Sequence, residues 1–152
     1  MKALEPLLQN PLTHLYLHDN VFGDEGALVI AGLPSLTNLH TLWASTGLLT
    51  SVGAWALAGS PYLRSLRVLK LNANQIGDDG VKALAQSPNL ANVKHLDLGF
   101  NRLGPDSVRS LRESPYLFKN FPKVPQSIDD LHSVHFQGMA SAATDLIQAW
   151  RA

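Results

Sequence analysis

The same residue types recur every 27 residues through the middle of this chain. No insertion or deletion interrupts the spacing between residues 12 and 117. The recurring positions include Leu15, Leu42, Leu69 and Leu96, then Pro34, Pro61, Pro88 and Pro115, and then Gly26, Gly53 and Gly80 with Ser107 in fourth place. A repeat of this length predicts a solenoid of about four stacked units, because one such unit cannot bury its own apolar face.

Each unit is predicted to hold one strand and one helix. The alternating pair Leu69 and Leu71 is typical of a short strand with one buried face. Asp78 follows a glycine and is expected to cap the helix that starts there, and Pro88 is expected to end that helix. Three residues at helical spacing form its buried face: Val81, Leu84 and Ala85.

Successive strands joined by helices predict an α/β architecture with right-handed crossovers. Neighbouring strands lie about 4.8 Å apart, whereas packed helices need roughly 8–10 Å. The stack is therefore expected to bend into a short horseshoe, with a concave parallel sheet and helices on the convex side.

The most regular units resemble leucine-rich repeats. The resemblance rests on residues 69–77, LKLNANQIG, and on residues 96–104, LDLGFNRLG. The 27-residue length and helical second half are similar to the ribonuclease-inhibitor and Ran GTPase-activating-protein subtype. The resemblance implies that the asparagines Asn20, Asn74 and Asn101 bond loop backbone. Repeat two departs from the pattern, with Gly47 in place of asparagine and Thr50 in place of glycine.

Side chains between the buried leucines are expected to face the concave side and to bind a partner. The predicted contact residues are His14, Tyr16, His18, Thr41, Trp43, Ser45, Lys70, Asn72, His95, Asp97 and Phe100. Tyr16 and Trp43 are of the types enriched at binding hot spots. Alternatively, the aromatic rings only shield the sheet, and Lys70 and Asp97 only pair with each other across the strands.

A second surface is predicted on the helices. Residues 27–63 contain no Asp, Glu, Lys or Arg, and apolar residues occupy helix positions that are charged in later repeats. These residues are Leu28, Val52 and Trp55. An exposed apolar patch usually marks a contact surface. The end of the array or a second copy of the chain could also cover it.

The flanking segments fall outside the repeat. We expect residues 1–11 to be an N-terminal cap or a remnant half-repeat. Residues 118–152 are expected to form a connector and a C-terminal helical cap, with a partner-recruiting tail as the alternative. The first residues show no signal peptide, and the chain lacks cysteine, so we expect a cytoplasmic location.

Several function classes are disfavoured. Lys and Arg together equal Asp and Glu in number, which argues against a nucleic-acid or membrane-surface binder. The sequence contains no catalytic or phosphate-binding motif, and we expect no cofactor. His14 and His18 would lie about 13 Å apart on one strand, too far to share a metal ion. We therefore expect a non-enzymatic protein-binding module. The alternatives are a regulator of a small GTPase, which the resemblance to the Ran activator implies, and a homo-oligomerising structural scaffold.

Overall fold

The computed structural model describes residues 11–117, which form four strand–helix units. The strands are β1 (His14–Tyr16), β2 (Thr41–Trp43), β3 (Val68–Lys70) and β4 (His95–Asp97). The helices are α1 (Gly23–Ala31), α2 (Ser51–Gly59), α3 (Gly77–Ala85) and α4 (Pro105–Arg112). The predicted N-terminal cap and C-terminal helical cap lie outside the described residues.

The four strands form one open parallel sheet in the order β1-β2-β3-β4. Each residue pairs with the residue 27 positions later, so that Leu15 pairs with Leu42 and Tyr16 with Trp43. The same offset holds between β2 and β3 and between β3 and β4. The α/β solenoid predicted from the repeat is thus confirmed. We call the outer surface of this sheet the concave face, since strand and helix spacings require the stack to bend towards it.

Leucines at equivalent positions form the core between the sheet and the helices. Leu42 and Leu69 of the strands are completely buried, as are Leu39 and Leu66 just before them. The predicted helix face is buried as well, through Val81, Leu84 and Ala85. Burying one such leucine stabilises the fold by about 1.5–3 kcal/mol, which explains why the apolar positions keep a strict register.

A short 3-10 turn follows each of the first three helices, a feature that the sequence analysis did not predict. These turns span Pro34–Leu36, Pro61–Leu63 and Pro88–Leu90. In the last two, the serine before the proline accepts a hydrogen bond from the backbone N–H two residues later. The same hydroxyl donates to a carbonyl of the preceding repeat, Ser60 to Ala31 and Ser87 to Ala58. Each of these serines therefore ends one helix and ties it to its neighbour.

Small residues at the start of the helices let neighbouring helices approach closely. A Cβ atom added at Gly80 would lie 3.1 Å from Ala54 Cβ and 3.1 Å from Ser51 Cα. At Gly53 it would lie 3.3 Å from Ala27 Cβ. Packing between helices thus explains the glycines at positions 53 and 80 of the glycine column.

The asparagines at the repeat position stabilise the loops that follow the strands. Asn74 is buried; its side-chain oxygen accepts from the amides of Gly47 and Leu49, and its Nδ2 donates to the Ala44 carbonyl. Asn101 makes equivalent bonds one repeat later, donating to the Leu71 carbonyl. This role is the one that the family resemblance implied.

Gly47 interrupts the asparagine series for a steric reason. A Cβ atom at this position would lie 2.8 Å from Cζ of Phe22, which comes from the preceding repeat. A partly buried phenylalanine ring therefore fills the space where a side chain of residue 47 would start. With the Phe22 ring in this place, glycine fits at position 47 and asparagine does not.

The helix-capping prediction for Asp78 is corrected by the structure. The residue before α3 is Ile76, which makes no side-chain cap bond. The Asp78 carboxylate instead accepts hydrogen bonds from the Gly104 amide at 2.7 Å, from the Ser107 amide at 3.1 Å and from the Ser107 hydroxyl. These groups belong to the N-terminus of α4. Asp78 therefore caps the helix of the next repeat.

Asp24 plays the same role for α2. Its carboxylate accepts from the amides of Thr50 and Gly53 at 2.8 Å and 2.9 Å and from the Thr50 hydroxyl at 2.6 Å. Partial burial raises the pKa of both carboxyls, but the hydrogen bonds outweigh burial and hold each pKa below its usual value of 3.8. The position equivalent to these aspartates holds Ser51 in repeat two. The Asp24 cap therefore joins repeat one to repeat two, and the Asp78 cap joins repeat three to repeat four.

Candidate partner-binding site

The concave face carries most of the predicted contact residues in the expected columns. Tyr16, Trp43, Lys70 and Asp97 occupy equivalent positions on β1 to β4. Tyr16 is 44% exposed, His14, His18 and Phe100 are exposed, and Trp43, Lys70, Asn72, His95 and Asp97 are half-buried. These side chains share one surface because the period-two strands keep the leucines between them buried.

Trp43 is the centre of a cluster of rings and one cation. The His18 ring lies 4.4 Å from the Trp43 ring, and the Tyr16 ring meets it edge-on at 6.0 Å. Lys70 Nζ lies 4.3 Å from the centre of the Trp43 ring. A cation over a tryptophan face contributes about 0.5–1 kcal/mol at an exposed site. We call Tyr16, His18, Trp43 and Lys70 the Trp43 cluster.

The cation–π contact replaces the cross-strand ion pair that the sequence suggested for Lys70 and Asp97. Within residues 11–117, an ion pair forms between Arg109 and Asp106, and none joins Lys70 to Asp97. Asp97 Oδ1 instead accepts from the Gly99 amide at 3.1 Å. The Lys70 ammonium is therefore drawn to the aromatic ring on β2 rather than to the carboxylate on β4.

A chain of hydrogen bonds fixes the Trp43 side chain. The indole N–H donates to the Ser45 hydroxyl at 2.8 Å, and that hydroxyl donates to Oδ1 of Asn72 on the next repeat. The ring is thus held in one orientation by a hydrogen bond as well as by its neighbours. A side chain ordered before binding loses less conformational entropy when a partner docks.

The structure corrects the exposure expected for Thr41 and Ser45. Each side chain is only 5% exposed, so neither is available for direct contact with a partner. Thr41 is small and lies between His14 and Val68 on the flanking strands. Ser45 is buried, and its hydroxyl accepts a hydrogen bond from the Trp43 indole and donates one to Asn72 Oδ1. Its contribution to the site is to orient the indole.

His95 extends the site towards the fourth strand. Burial lowers the pKa of His95, and the nearby positive charges of Lys70 and Lys94 lower it further. The imidazole is therefore neutral at pH 7. It lies in register with Val68 and two residues from Asp97, where a neutral ring can donate or accept one hydrogen bond.

Comparison with known proteins agrees with this geometry. The family model for the leucine-rich repeat matches residues 9–31, 62–85 and 89–111. The chain is a leucine-rich repeat protein. The unmatched stretch between the first two segments includes β2 and the departures at Gly47 and Thr50. No curated protein matches the chain.

Leucine-rich repeats generally mediate protein–protein interaction and are typically not catalytic. Among the described residues of this leucine-rich repeat protein, no group of three histidine, aspartate or glutamate side chains could hold a metal ion. No helix within residues 11–117 is long and apolar enough to cross a membrane.

The helix side of the leucine-rich repeats carries the second predicted surface. Leu28, Val52 and Trp55 are 55%, 56% and 64% exposed. The Trp55 indole N–H donates to the backbone carbonyl of Asp79 at 3.3 Å, so the ring reaches from α2 towards α3. We call Leu28, Val52 and Trp55 the helix-side patch.

Sequence reasoning missed two parts of the site. It placed Ser45 and Asn72 among the contact residues but not in the hydrogen-bond chain that holds Trp43. It also missed the packing of Lys70 over Trp43. A signal for the second was present, because the two residues stand exactly one repeat apart and must therefore be neighbours on adjacent strands.

Proposed function

We propose that this protein is a non-enzymatic interaction module that binds a partner protein on its concave face, with the Trp43 cluster as the anchor. The observation that carries the proposal is the fixed Trp43 ring, which stays partly exposed although four side chains hold it. Tryptophan, tyrosine and cationic side chains in one small area have the composition of binding hot spots.

The order of the cluster favours recognition over simple shielding of the sheet. Shielding requires only apolar area, and a disordered ring would supply it. The hydrogen bond from the indole N–H to Ser45 and the Lys70 ammonium over the ring do not add apolar area. They fix the orientation of the ring. A preorganised amphipathic anchor is the kind of feature whose truncation weakens binding by about 2 kcal/mol or more.

The test compares two tryptophan variants of the full chain. Affinity capture from native extract, followed by mass spectrometry, first identifies the partner of the wild-type protein. Trp43→Ala is expected to lose that partner, with an affinity at least roughly thirtyfold weaker. Trp55→Ala, which truncates an exposed ring on the helices, serves as the control and should retain the partner. Equal binding by Trp43→Ala and wild type would overturn the proposal.

A second function, self-association, is favoured by the helix-side patch. Its three side chains are exposed and lie in a stretch without a charged residue. Contiguous apolar area of this kind is typical of homodimer interfaces. The patch is separate from the concave face, so a dimer could form without covering Trp43.

Two further properties belong to the proposal. The 27-residue repeats with a full helix after each strand support assignment to the ribonuclease-inhibitor and Ran GTPase-activating-protein subtype. The absence of cysteine supports a cytoplasmic location, which subcellular fractionation with an antibody would test.

A further inference from the structure

The edge of the sheet where the strands begin carries a row of basic side chains. His40, Arg67 and Lys94 occupy equivalent positions, each immediately before a strand. Their backbones form successive rungs, because the Arg67 amide donates to the His40 carbonyl and the Lys94 amide to the Arg67 carbonyl, both at 2.8 Å. The three side chains are therefore neighbours, spaced by about 4.8 Å from strand to strand.

Arg64 adds a fourth basic side chain from the adjoining loop. Its Nε donates to Asn89 Oδ1 at 3.0 Å, and its carbonyl accepts from Asn92 Nδ2 at 2.8 Å. A depression of about 280 Å³ lies between these groups. Its lining consists of His40, Arg64, Ser65, Arg67, Asn92 and Lys94. We call Arg64, Arg67 and Lys94, with His40, the basic edge.

The basic edge lies in a part of the chain that is poor in carboxylates. The sequence has no aspartate or glutamate from residue 26 to 77 or from residue 80 to 96. Within residues 11–117, Arg64, Arg67 and Lys94 form no ion pair. Like charges on neighbouring strands repel each other, so Arg67 and Lys94 lower the stability of the sheet. No ion pair within residues 11–117 offsets this repulsion. Such local violations are expected at functional sites.

The acidic residues of the repeats collect on the opposite edge, in the loops and helix starts that follow the strands. They include Asp19, Asp24, Glu25, Asp78, Asp79 and Asp106. The sheet is thus basic where the strands begin and acidic beyond where they end. Two described carboxylates are exceptions: Asp97 lies within β4 itself, and Glu113 lies at the C-terminal end of α4.

We propose that the basic edge binds a short acidic segment of the partner protein, in an extended conformation across the strands. The proposal rests on the proposed function, since the same partner would contact the Trp43 cluster. The row of three basic side chains spans about 10 Å, the length of roughly three extended residues. A nucleic acid fits less well, because the chain as a whole has no surplus of cations.

The experiment measures fluorescence anisotropy of a labelled octaglutamate peptide with the full chain. Wild-type protein is expected to bind octaglutamate at low salt and more weakly as salt is raised, and not to bind octaglutamine. Arg67→Glu combined with Lys94→Glu should weaken binding at least about tenfold. The matched control, Lys82→Glu with Arg112→Glu, makes the same charge change on exposed helix positions and should stay within about twofold of wild type.

Three results would overturn the proposal. These are failure of octaglutamate to bind wild type, an equal loss in the control variant, and tighter binding of a single-stranded oligothymidine than of octaglutamate. Circular dichroism establishes that each variant folds. If the glutamate variant does not, Arg67→Gln with Lys94→Gln replaces it, with the same expected direction. If only the basic-edge proposal is wrong, the capture of a partner still depends on Trp43. If only the proposed function is wrong, capture does not depend on Trp43, and octaglutamate still binds the basic edge.

Discussion

Replacing Asp78 by alanine is expected to destabilise the whole array, although the residue lies outside the apolar core. The carboxylate accepts three hydrogen bonds from the N-terminus of α4, two of them from the amides of Gly104 and Ser107. Alanine leaves these donors without their partner. Removal of a helix cap costs about 0.5–2 kcal/mol, and bonds to a charged group lie at the upper end of the hydrogen-bond range.

We expect a loss of about 2 kcal/mol for Asp78→Ala, since the carboxylate is only partly buried and solvent replaces some of its bonds. In a chain of this size that corresponds to a fall in melting temperature of about 4–8 °C. Urea unfolding followed by circular dichroism measures the free energy. Asp79→Ala is the matched control. Its side chain is exposed in the same helical turn, so only a helix-dipole effect of about 0.3–1 kcal/mol is at stake.

The pH dependence provides a second check. The folded-state pKa of Asp78 lies below 3.8, so the carboxylate stabilises the fold at pH values above its unfolded pKa. This contribution is lost as pH falls through the lowered pKa. The stability difference between wild type and Asp78→Ala should therefore be constant at neutral pH and shrink below about pH 4. Two results would refute the capping argument. One is a loss of unfolding free energy for Asp78→Ala that equals the loss for Asp79→Ala, and the other is a loss that stays the same below pH 4.

Two other variants test the packing and the second surface. Gly47→Ala should cost about 1–3 kcal/mol because its Cβ meets the Phe22 ring, and Phe22→Leu in the same chain should relieve most of that loss in a double-mutant cycle of unfolding free energies. Additive losses would show that the ring is not the obstacle. Trp55→Ala should shift a self-associated protein towards monomer in sedimentation velocity at matched concentration. An unchanged mass distribution would exclude the helix-side patch as the contact.

The sheet and its register followed from the sequence because leucine spacing has one structural solution. Once Leu42, Leu69 and Leu96 must all be buried, parallel strands offset by 27 residues are the arrangement that achieves it. The columns on the concave face follow from the same register. The sequence alone therefore places Tyr16, Trp43 and Lys70 side by side.

The details that escaped prediction all depend on contacts between side chains of different repeats. Asp78 stands at a position suited to capping its own helix, and only the approach of α4 shows which amides it reaches. Thr41 has the period of an outward residue, but larger neighbours in register cover it. The sequence shows Gly47 only as a departure from the asparagine series, and the structure adds that the Phe22 ring occupies the space beside it. The period of two determines to which face of the sheet a side chain points, whereas the exposure of that side chain also depends on the size of its neighbours.

The position of the Trp43 cluster relative to the carboxylate caps has a functional consequence. The caps join repeats one and two and repeats three and four, whereas the anchor Trp43 and its cation Lys70 span the junction between repeats two and three. That junction is held by the buried Asn74, which bonds both Gly47 and Leu49, and it contains no carboxylate cap. The contact between Trp43 and Lys70 should therefore be independent of the protonation of Asp78, whose cap lies between repeats three and four. Loss of a cap lowers the stability of the array without displacing the anchor, so Asp78→Ala should bind the partner with wild-type affinity at temperatures where it remains folded.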